Sequence, residues 1–137
     1  MAEYLLDTDH LSYVQEGRPE ALQRLATLPF DDRVFTSVVN VGELLRGVYL
    51  LPRSRRQQEL LRLYRKIVRE MEEVLPITPM VAEKFAEVDA TLRKKGRPIP
   101  VNDVWVASLA LVRQATLVTN DGHFNYVEGL TVENWVR

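Results

Sequence analysis

The segment that decides the fold lies near the N-terminus, where residues 3–9 read EYLLDTD. Residues 3–6 are typical of a short buried strand, and the polar side chains of Asp7, Thr8 and Asp9 are of the kind that begins a helix. We therefore predict a strand that leads directly into a helix. The same order returns over residues 33–51, where RVFT predicts a strand and apolar side chains recur at helical spacing from Val38 to Val48.

The rest of the chain continues this alternation. Residues 53–73 predict a long helix, because their apolar positions repeat with a period of about 3.6. Further helices are predicted over residues 19–28, 79–96 and 102–114, and further strands at residues 74–77, 116–119 and, at one edge, 130–132. Neighbouring parallel strands need a crossover of about a dozen residues, which these helices provide. The sequence therefore predicts an α/β fold in which helices cover both faces of a parallel sheet.

Length and composition narrow the class of protein. The chain has 137 residues, of which 46% are hydrophobic and 27% charged, so we expect one folded domain over residues 1–137. It contains no cysteine and only His10 and His123, which excludes thiolate sites and disfavours a histidine-built zinc site. A metal ion would have to be held mainly by oxygen. The net charge of -1, with 14 Arg and 4 Lys, neither demands nor excludes a nucleic acid.

The sequence gives no sign of a membrane segment. Its longest nearly apolar run, residues 104–112, is shorter than the roughly 20 residues that span a bilayer, and no signal-peptide pattern opens the chain. We expect a cytoplasmic protein that has no contact with a membrane.

Four acidic residues are candidates for one site. Asp7 and Asp121 follow predicted strands, Glu43 lies early in the helix after the second strand, and Asp103 begins the buried helix over residues 102–114. The carboxyl ends of parallel strands meet at one edge of a sheet, so we expect all four acids to lie toward that edge. Each also has a structural interpretation: Asp7 as a helix cap, Glu43 as a capping-box acid with Asn40, Asp103 at a helix N-terminus, and Asp121 in a turn.

The combination of the four acids favours a charged ligand. Two carboxylates about 4 Å apart repel by about 4 kcal/mol at an effective dielectric constant of 20. Protonation or a divalent cation would relieve this repulsion. Hard oxygen ligands select Mg²⁺ or Mn²⁺, and a cation held by carboxylates and water is typical of phosphoryl-transfer sites.

Four segments carry a resemblance to a known family. The segments LLDTD (5–9), VGELLRG (41–47), PVNDVWVA (100–107) and VTND (118–121) together resemble the PIN-domain ribonucleases, specifically the VapC toxins of bacterial toxin-antitoxin pairs. The resemblance implies a three-layer sandwich with a central parallel sheet of four or five strands. It also implies a metal-dependent endoribonuclease with Asp7, Glu43, Asp103 and Asp121 at its acidic site, which holds one or two Mg²⁺ or Mn²⁺ ions.

Residues beside these acids receive supporting roles. Thr119 matches a hydroxyl residue that the family often carries near the acids, and Asn120 follows it. Asp9 departs from the usual Asn or Ser at its position; it could cap the helix, orient a metal-bound water or act as a ligand, and a cap or an outer contact is favoured. His123 stands after a turn, where a surface or packing role is more common than catalysis.

Basic residues are candidates for contact with RNA phosphates. Lys94, Lys95 and Arg97 precede Asp103, close enough in sequence to line an approach to the acids. Arg46 lies three residues after Glu43 and could pair with an acid or hold a phosphate. The many arginines of the long helix are more typical of a solvated face.

The resemblance implies partners as well. VapC toxins pair with an antitoxin, so we expect a VapB-like antitoxin and a homodimer. Apolar positions of the first two helices and the long helix, among them Leu11, Val14, Leu22, Leu60 and Tyr64, could form a groove for an amphipathic antitoxin segment. An arginine of the antitoxin could reach the acids in place of a metal.

Two other functions fit part of the sequence. Asp7 and Asp9 after a strand resemble the nucleophile and acid of haloacid-dehalogenase-like phosphohydrolases, although Leu11 departs from that pattern and Glu43 would have no role. Alternatively, the acids only cap helices, and the chain is a non-catalytic interaction domain.

Overall fold

A computed structural model describes residues 1–137 and shows an α/β sandwich. Its elements are, in chain order, β1 (Glu3–Leu6), α1 (Thr8–Gln15), α2 (Pro19–Thr27), β2 (Arg33–Ser37), α3 (Val38–Tyr49), α4 (Arg55–Glu70), β3 (Val74–Leu75), α5 (Pro79–Lys94), α6 (Val101–Arg113), β4 (Thr116–Val118), a 3-10 helix (Gly122–Tyr126) and β5 (Val132–Glu133). Five strands form one sheet in the order β3-β2-β1-β4-β5, and all neighbours are parallel. The predicted fold class is confirmed.

The central strand β1 supplies both faces of the core, because its side chains alternate across the sheet. Leu5 packs with α5, α6 and the 3-10 helix, where Val104, Leu109 and Phe124 are buried. On the other face, Leu6 packs with side chains of α1 to α4. The sheet therefore lies between two layers of helices.

Local signals explain where several helices begin. Ser54 and Thr78 precede α4 and α5, and their side-chain oxygens accept hydrogen bonds from the N–H groups of Gln57 and Val81. Pro79 occupies the first helical position of α5, which suits a residue without an N–H group. The helix α6 is buried on most of its circumference, as its nearly continuous apolar sequence predicts.

The structure corrects several local predictions. The helix α3 is capped by Ser37, whose Oγ accepts a hydrogen bond from the N–H of Asn40, so the proposed capping box of Asn40 and Glu43 is wrong. The strand β3 has two residues instead of four. The last strand lies at Val132–Glu133, two residues beyond the predicted start, because the chain from the 3-10 helix first has to cross to the sheet edge.

The topology determines where a site can form. The central strands β1, β2 and β4 all end at the same edge, and α1, α3 and the 3-10 helix begin at or soon after their last residues.

None of the helices combines the length and the apolar character that a bilayer-spanning segment needs.

Candidate active site

Asp7 lies at the centre of the sheet edge, directly after β1. The residue is only 7% exposed. Its Oδ1 accepts a hydrogen bond from Asn40 Nδ2 at 2.8 Å, and its Oδ2 accepts one from Thr119 Oγ1 at 2.7 Å. Asp7 occupies the N-cap position of α1, but its side chain makes no capping hydrogen bond, so the interpretation of its carboxylate as a cap is wrong.

The surroundings of Asp7 oppose its ionisation. The pKa of its carboxyl is raised from 3.8 to about 7, mainly because the group is buried. The charges of Asp9 and Asp103 contribute to this increase, and the hydrogen bond from Thr119 opposes it. The Asp7 carboxyl is therefore only partly ionised near neutral pH, and a positive charge nearby would favour its ionised form.

Glu43 projects from the second turn of α3 toward the same edge. Its Oε1 accepts a hydrogen bond from Thr8 Oγ1 at 3.0 Å, and its Oε2 accepts one from Asn102 Nδ2 at 3.3 Å. These bonds join the carboxylate to the first residues of α1 and α6. Glu43 is thus held where α1, α3 and α6 meet. Its carboxylate lies at the acidic cluster and does not cap the N-terminus of α3.

Asp103 and Asp121 complete the cluster together with His123. His123 Nδ1 lies 3.3 Å from Asp103 Oδ2 and 3.1 Å from Asp121 Oδ1. Burial raises the pKa of Asp103, with Asp121 and Glu43 adding to the increase and His123 opposing it. Asp121 also caps the 3-10 helix, since its Oδ1 accepts the N–H of His123 at 2.9 Å. Asp121 can therefore cap the 3-10 helix and belong to the acidic cluster at the same time.

Asp9 lies beside the cluster but is committed to other contacts. Its Oδ2 accepts the backbone N–H of Asn120 at 2.8 Å, and its Oδ1 lies 2.7 Å from His10 Nδ1. Because Asp9 lies inside α1 and joins it to the end of β4, the prediction of a helix cap is wrong. The same contacts argue against a phosphohydrolase in which Asp9 is the acid that assists an Asp7 nucleophile.

Thr119 and Asn120 support the edge from β4. Besides donating to Asp7, Thr119 Oγ1 accepts the N–H of Asp121 at 3.0 Å, so one hydroxyl links two acids. The Asn120 side chain points outward, where its Nδ2 donates to Tyr13 Oη at 3.3 Å. The backbone of Asn120, and not its side chain, therefore contributes to the arrangement.

The basic candidates make no direct contact with the acids. Arg46 and Lys94 are exposed and form no ion pair. Lys95 is paired with Glu128, and the Arg97 guanidinium lies 4.7 Å from the centre of the Tyr126 ring. Arg97 thereby packs on the 3-10 helix that carries His123.

The two edges of the sheet differ in how their acids are neutralised. At the opposite edge, Arg33 and Arg113 form ion pairs with Glu3 and Glu73. At the carboxyl edge, no lysine or arginine lies within 4.0 Å of the four acids, and His123 is their only basic partner. These carboxylate oxygens are suitable ligands for a hard divalent cation, and such a cation would supply the positive charge that no lysine or arginine provides here.

Sequence reasoning missed four residues of the site. Asn40 is fully buried and donates to Asp7, while Thr8, Asn102 and His123 each contact one or more acids. Asn102 and Thr8 are sequence neighbours of acids, and this adjacency was the available signal. No local pattern indicates that Asn40 reaches Asp7 from the first turn of α3.

The α/β sandwich with acids at the carboxyl ends of its strands agrees with the PIN-domain class that the sequence motifs resemble. Comparison with known proteins supports the same class. The PIN domain family matches residues 4–130. The chain is 32% identical to Ribonuclease VapC5 of Mycobacterium tuberculosis, over 97% of this chain and 93% of that protein. It is 29% identical to Ribonuclease VapC1 of Haemophilus influenzae, over 98% of both chains.

Solved structures show the same similarity. The structure of VapBC2 from Rickettsia felis bound to a promoter DNA fragment matches with a TM-score of 0.87 and 25% identity, over 97% of this chain and 98% of that chain. VapBC-1 from nontypeable Haemophilus influenzae matches with a TM-score of 0.86 and 25% identity, over 98% of this chain and 99% of that chain. The chain therefore belongs to the PIN domain family, among the VapC ribonucleases.

Proposed function

We propose that Asp7, Glu43, Asp103 and Asp121 form the metal-dependent catalytic centre of this VapC-type endoribonuclease, the toxin of a toxin-antitoxin pair. The observation that supports this proposal is the convergence of four carboxylates at one edge without a lysine or arginine partner. The raised pKa of Asp7 and Asp103 indicates that the cluster is electrostatically incomplete by itself. Membership of the VapC ribonucleases supports RNA as the substrate.

The chain's own residues orient the ligands of the cation. Asn40 and Thr119 fix the two oxygens of Asp7, and Thr8 and Asn102 fix those of Glu43. One or two Mg²⁺ or Mn²⁺ ions would supply Lewis-acid activation of water and neutralise charge at the scissile phosphate. Because the ligands are held by hydrogen bonds before the cation arrives, little rearrangement is needed on binding.

A metal-free route through two histidines has no support in the geometry. His10 is fully buried, and its Nε2 accepts the N–H of Trp135 at 3.1 Å. It cannot act with His123 on one phosphodiester as acid and base. Hydrolysis by water should therefore leave a 5′-phosphate and a 3′-hydroxyl.

The test is RNA cleavage by the purified chain with mapping of both product ends. We expect cleavage with Mg²⁺ or Mn²⁺, no cleavage in EDTA, and loss of activity in Asp103→Asn. Asp31→Asn, which changes an exposed acid that lies beside the N-terminal ammonium instead of the cluster, is the matched control and should cleave normally. Cyclic-phosphate ends, activity in EDTA or full activity of Asp103→Asn would contradict the proposal.

Exposed basic side chains near the edge are proposed to contact RNA phosphates. Arg46 and Lys94 have no competing ion pair, whereas Lys95 and Arg97 are already engaged with Glu128 and Tyr126. We therefore assign the larger contributions to Arg46 and Lys94, and smaller ones to Lys95 and Arg97.

An antitoxin of the VapB type is proposed to bind a groove that ends at the acids. The groove has a volume of about 240 Å³ and lies between α1, α3 and α4; its apolar lining is Leu44, Val48, Leu51, Leu60 and Tyr64. Thr8 and Glu43 form its polar end, so a bound segment would reach the catalytic edge. Leu11 is buried in the core and Leu22 lies on α2, so neither lines this groove.

Co-expression tests this assembly. In a bacterial cytoplasm, where we propose the chain acts, the adjacent antitoxin gene should restore growth, and the purified complex should contain both proteins. We also propose a homodimer, which native mass measurement would detect. A harmless chain that the neighbouring protein neither binds nor inhibits would contradict the toxin assignment.

A further inference from the structure

His123 is held in a fixed position by the chain around it. Its backbone N–H donates a hydrogen bond to Asp121 Oδ1 at 2.9 Å, and this bond caps the first turn of the 3-10 helix. The next residue, Phe124, is fully buried and anchors this helix in the core. The His123 side chain is 51% exposed, so its ring borders the acids on one side and solvent on the other. A ring placed in this way is available to a ligand.

The geometry around His123 matches that of a coordination site. One ligand atom from each of Asp103, Asp121 and His123 lies within 4.8 Å of the other two. The Nδ1 atom is 3.1 Å and 3.3 Å from the two carboxylate oxygens. Adjacent ligands of an octahedral cation at about 2.1 Å are about 3.0 Å apart. The Nδ1 atom thus lies from each carboxylate oxygen at about the separation of neighbouring ligands on one cation, and all three groups can offer an atom within 4.8 Å of the others.

We propose that His123 supplies an imidazole nitrogen ligand to the divalent cation that Asp103 and Asp121 hold. This inference rests on the proposed metal-dependent function and adds a nitrogen atom to an otherwise all-oxygen site. Nitrogen ligands raise the affinity for later first-row metals, so the centre should prefer Co²⁺ to Mg²⁺ more strongly than carboxylates alone would.

The first test is spectroscopic and independent of catalysis. The purified full-length chain is loaded with Mn²⁺ and measured by electron spin echo envelope modulation, which detects a nitrogen nucleus bonded to the metal. We expect modulation from a directly bound imidazole ¹⁴N in the wild-type chain and its loss in His123→Leu. His10 cannot produce this signal, since it is fully buried and hydrogen-bonded at both ring nitrogens.

The second test measures affinity. In His123→Leu the Co²⁺ affinity should fall by about 10-fold or more, while the Mg²⁺ affinity should fall much less. Asn125→Ala, an exposed change in the same 3-10 helix, is the control and should bind both ions as the wild type does. Thermal unfolding of each variant establishes that it is folded.

The outcomes separate this inference from the proposed function. If Mn²⁺ binds without nitrogen modulation, His123 is a hydrogen-bonding partner of the acids and the inference is wrong, although the metal site stands. Equal losses of Co²⁺ and Mg²⁺ affinity in His123→Leu would also overturn it. If the wild-type chain binds no Mn²⁺ at all, both the inference and the metal-dependent function fail.

Discussion

The buried carboxyl of Asp7 connects the stability of the protein to its chemistry. It lies among hydrogen-bond donors that orient it, yet burial raises its pKa to about 7. A folding requirement alone would favour a neutral side chain here, since an unpaired buried charge is costly. The acid thus lowers the stability of the metal-free chain in a way that a cation would reverse.

The first prediction concerns the pH dependence of this effect. In EDTA, the contribution of Asp7 to the free energy of unfolding should be lost as pH rises from about 4 to about 7. The reason is that the folded chain keeps the proton up to pKa about 7, whereas the unfolded chain releases it near 3.8. Asp7→Asn should match the wild type near pH 4 and exceed it by as much as about 4 kcal/mol at pH 8.

Urea unfolding of both proteins across this pH range is the measurement. The difference between them isolates Asp7, because the other titrating groups are common to both chains. A difference that stays constant with pH would show that the Asp7 carboxyl ionises normally in the folded chain.

A second prediction at this scale concerns Thr119, whose hydroxyl contacts both Asp7 and the N–H of Asp121. Thr119→Val keeps the shape but removes the donor, so the pKa of Asp7 should rise further and Mn²⁺ affinity at pH 7 should fall about tenfold. Calorimetric titration measures the affinity. Thr119→Ser keeps the hydroxyl and should bind nearly as tightly as the wild type; equal losses in both variants would contradict a hydrogen-bonding role.

At the scale of the elements, the junction of α3 and α4 shapes the proposed antitoxin groove. Gln57 is 8% exposed in the first turn of α4. Its Nε2 donates to the carbonyl oxygens of Leu51 at 2.9 Å and Val48 at 3.2 Å, where α3 ends. One side chain therefore gives the Leu51 carbonyl a donor just after the end of α3 and gives Val48, whose carbonyl also accepts the N–H of Leu51, a second one.

The third prediction follows from these bonds. Gln57→Ala should lower the free energy of unfolding by about 1–3 kcal/mol, because the Leu51 carbonyl loses its side-chain donor in a partly buried position. The exposed neighbour Gln58 is the control, and Gln58→Ala should change stability by less than about 0.5 kcal/mol. Chemical denaturation measures both. Similar values for the two variants would mean that water replaces the Gln57 amide without cost.

At the scale of the whole molecule, the distribution of charge has a direct consequence. Paired acids and arginines lie at one edge of the sheet, and acids without a lysine or arginine lie at the other. The small net charge of -1 conceals this separation. A cation that binds only the folded chain should stabilise it by mass action.

The fourth prediction is that Mn²⁺ raises the melting temperature of the wild-type chain. At a hundredfold excess over the dissociation constant the gain is about 2.7 kcal/mol, which corresponds to several degrees. Asp7→Asn and Asp103→Asn should show a much smaller rise, whereas Asp31→Asn should behave as the wild type. Scanning calorimetry with Mn²⁺ and with EDTA is the measurement, and equal rises in all four proteins would place the cation elsewhere.

The sequence by itself determined most of the elements and their order along the chain. Hydrophobic periodicity predicted the helices and the strands, and the parallel arrangement followed from their alternation. Because parallel strands end at one edge, the positions of Asp7 and Asp121 after strands, and of Glu43 and Asp103 near the beginnings of helices, led to the prediction that the four acids converge. The weakest predictions were the short edge strands, whose bounds depend on pairing with neighbours more than on their own two residues.

Only the tertiary structure decided which side chains hold the acids. Asn40 reaches Asp7 from 33 positions away in the chain, and Thr119 reaches it from 112 positions away. Contacts of this kind depend on the distance between packed elements and on side-chain rotamers, neither of which a local pattern contains. The same is true of the burial that raises the pKa of Asp7, since desolvation is produced by layers of the sandwich that meet only after folding.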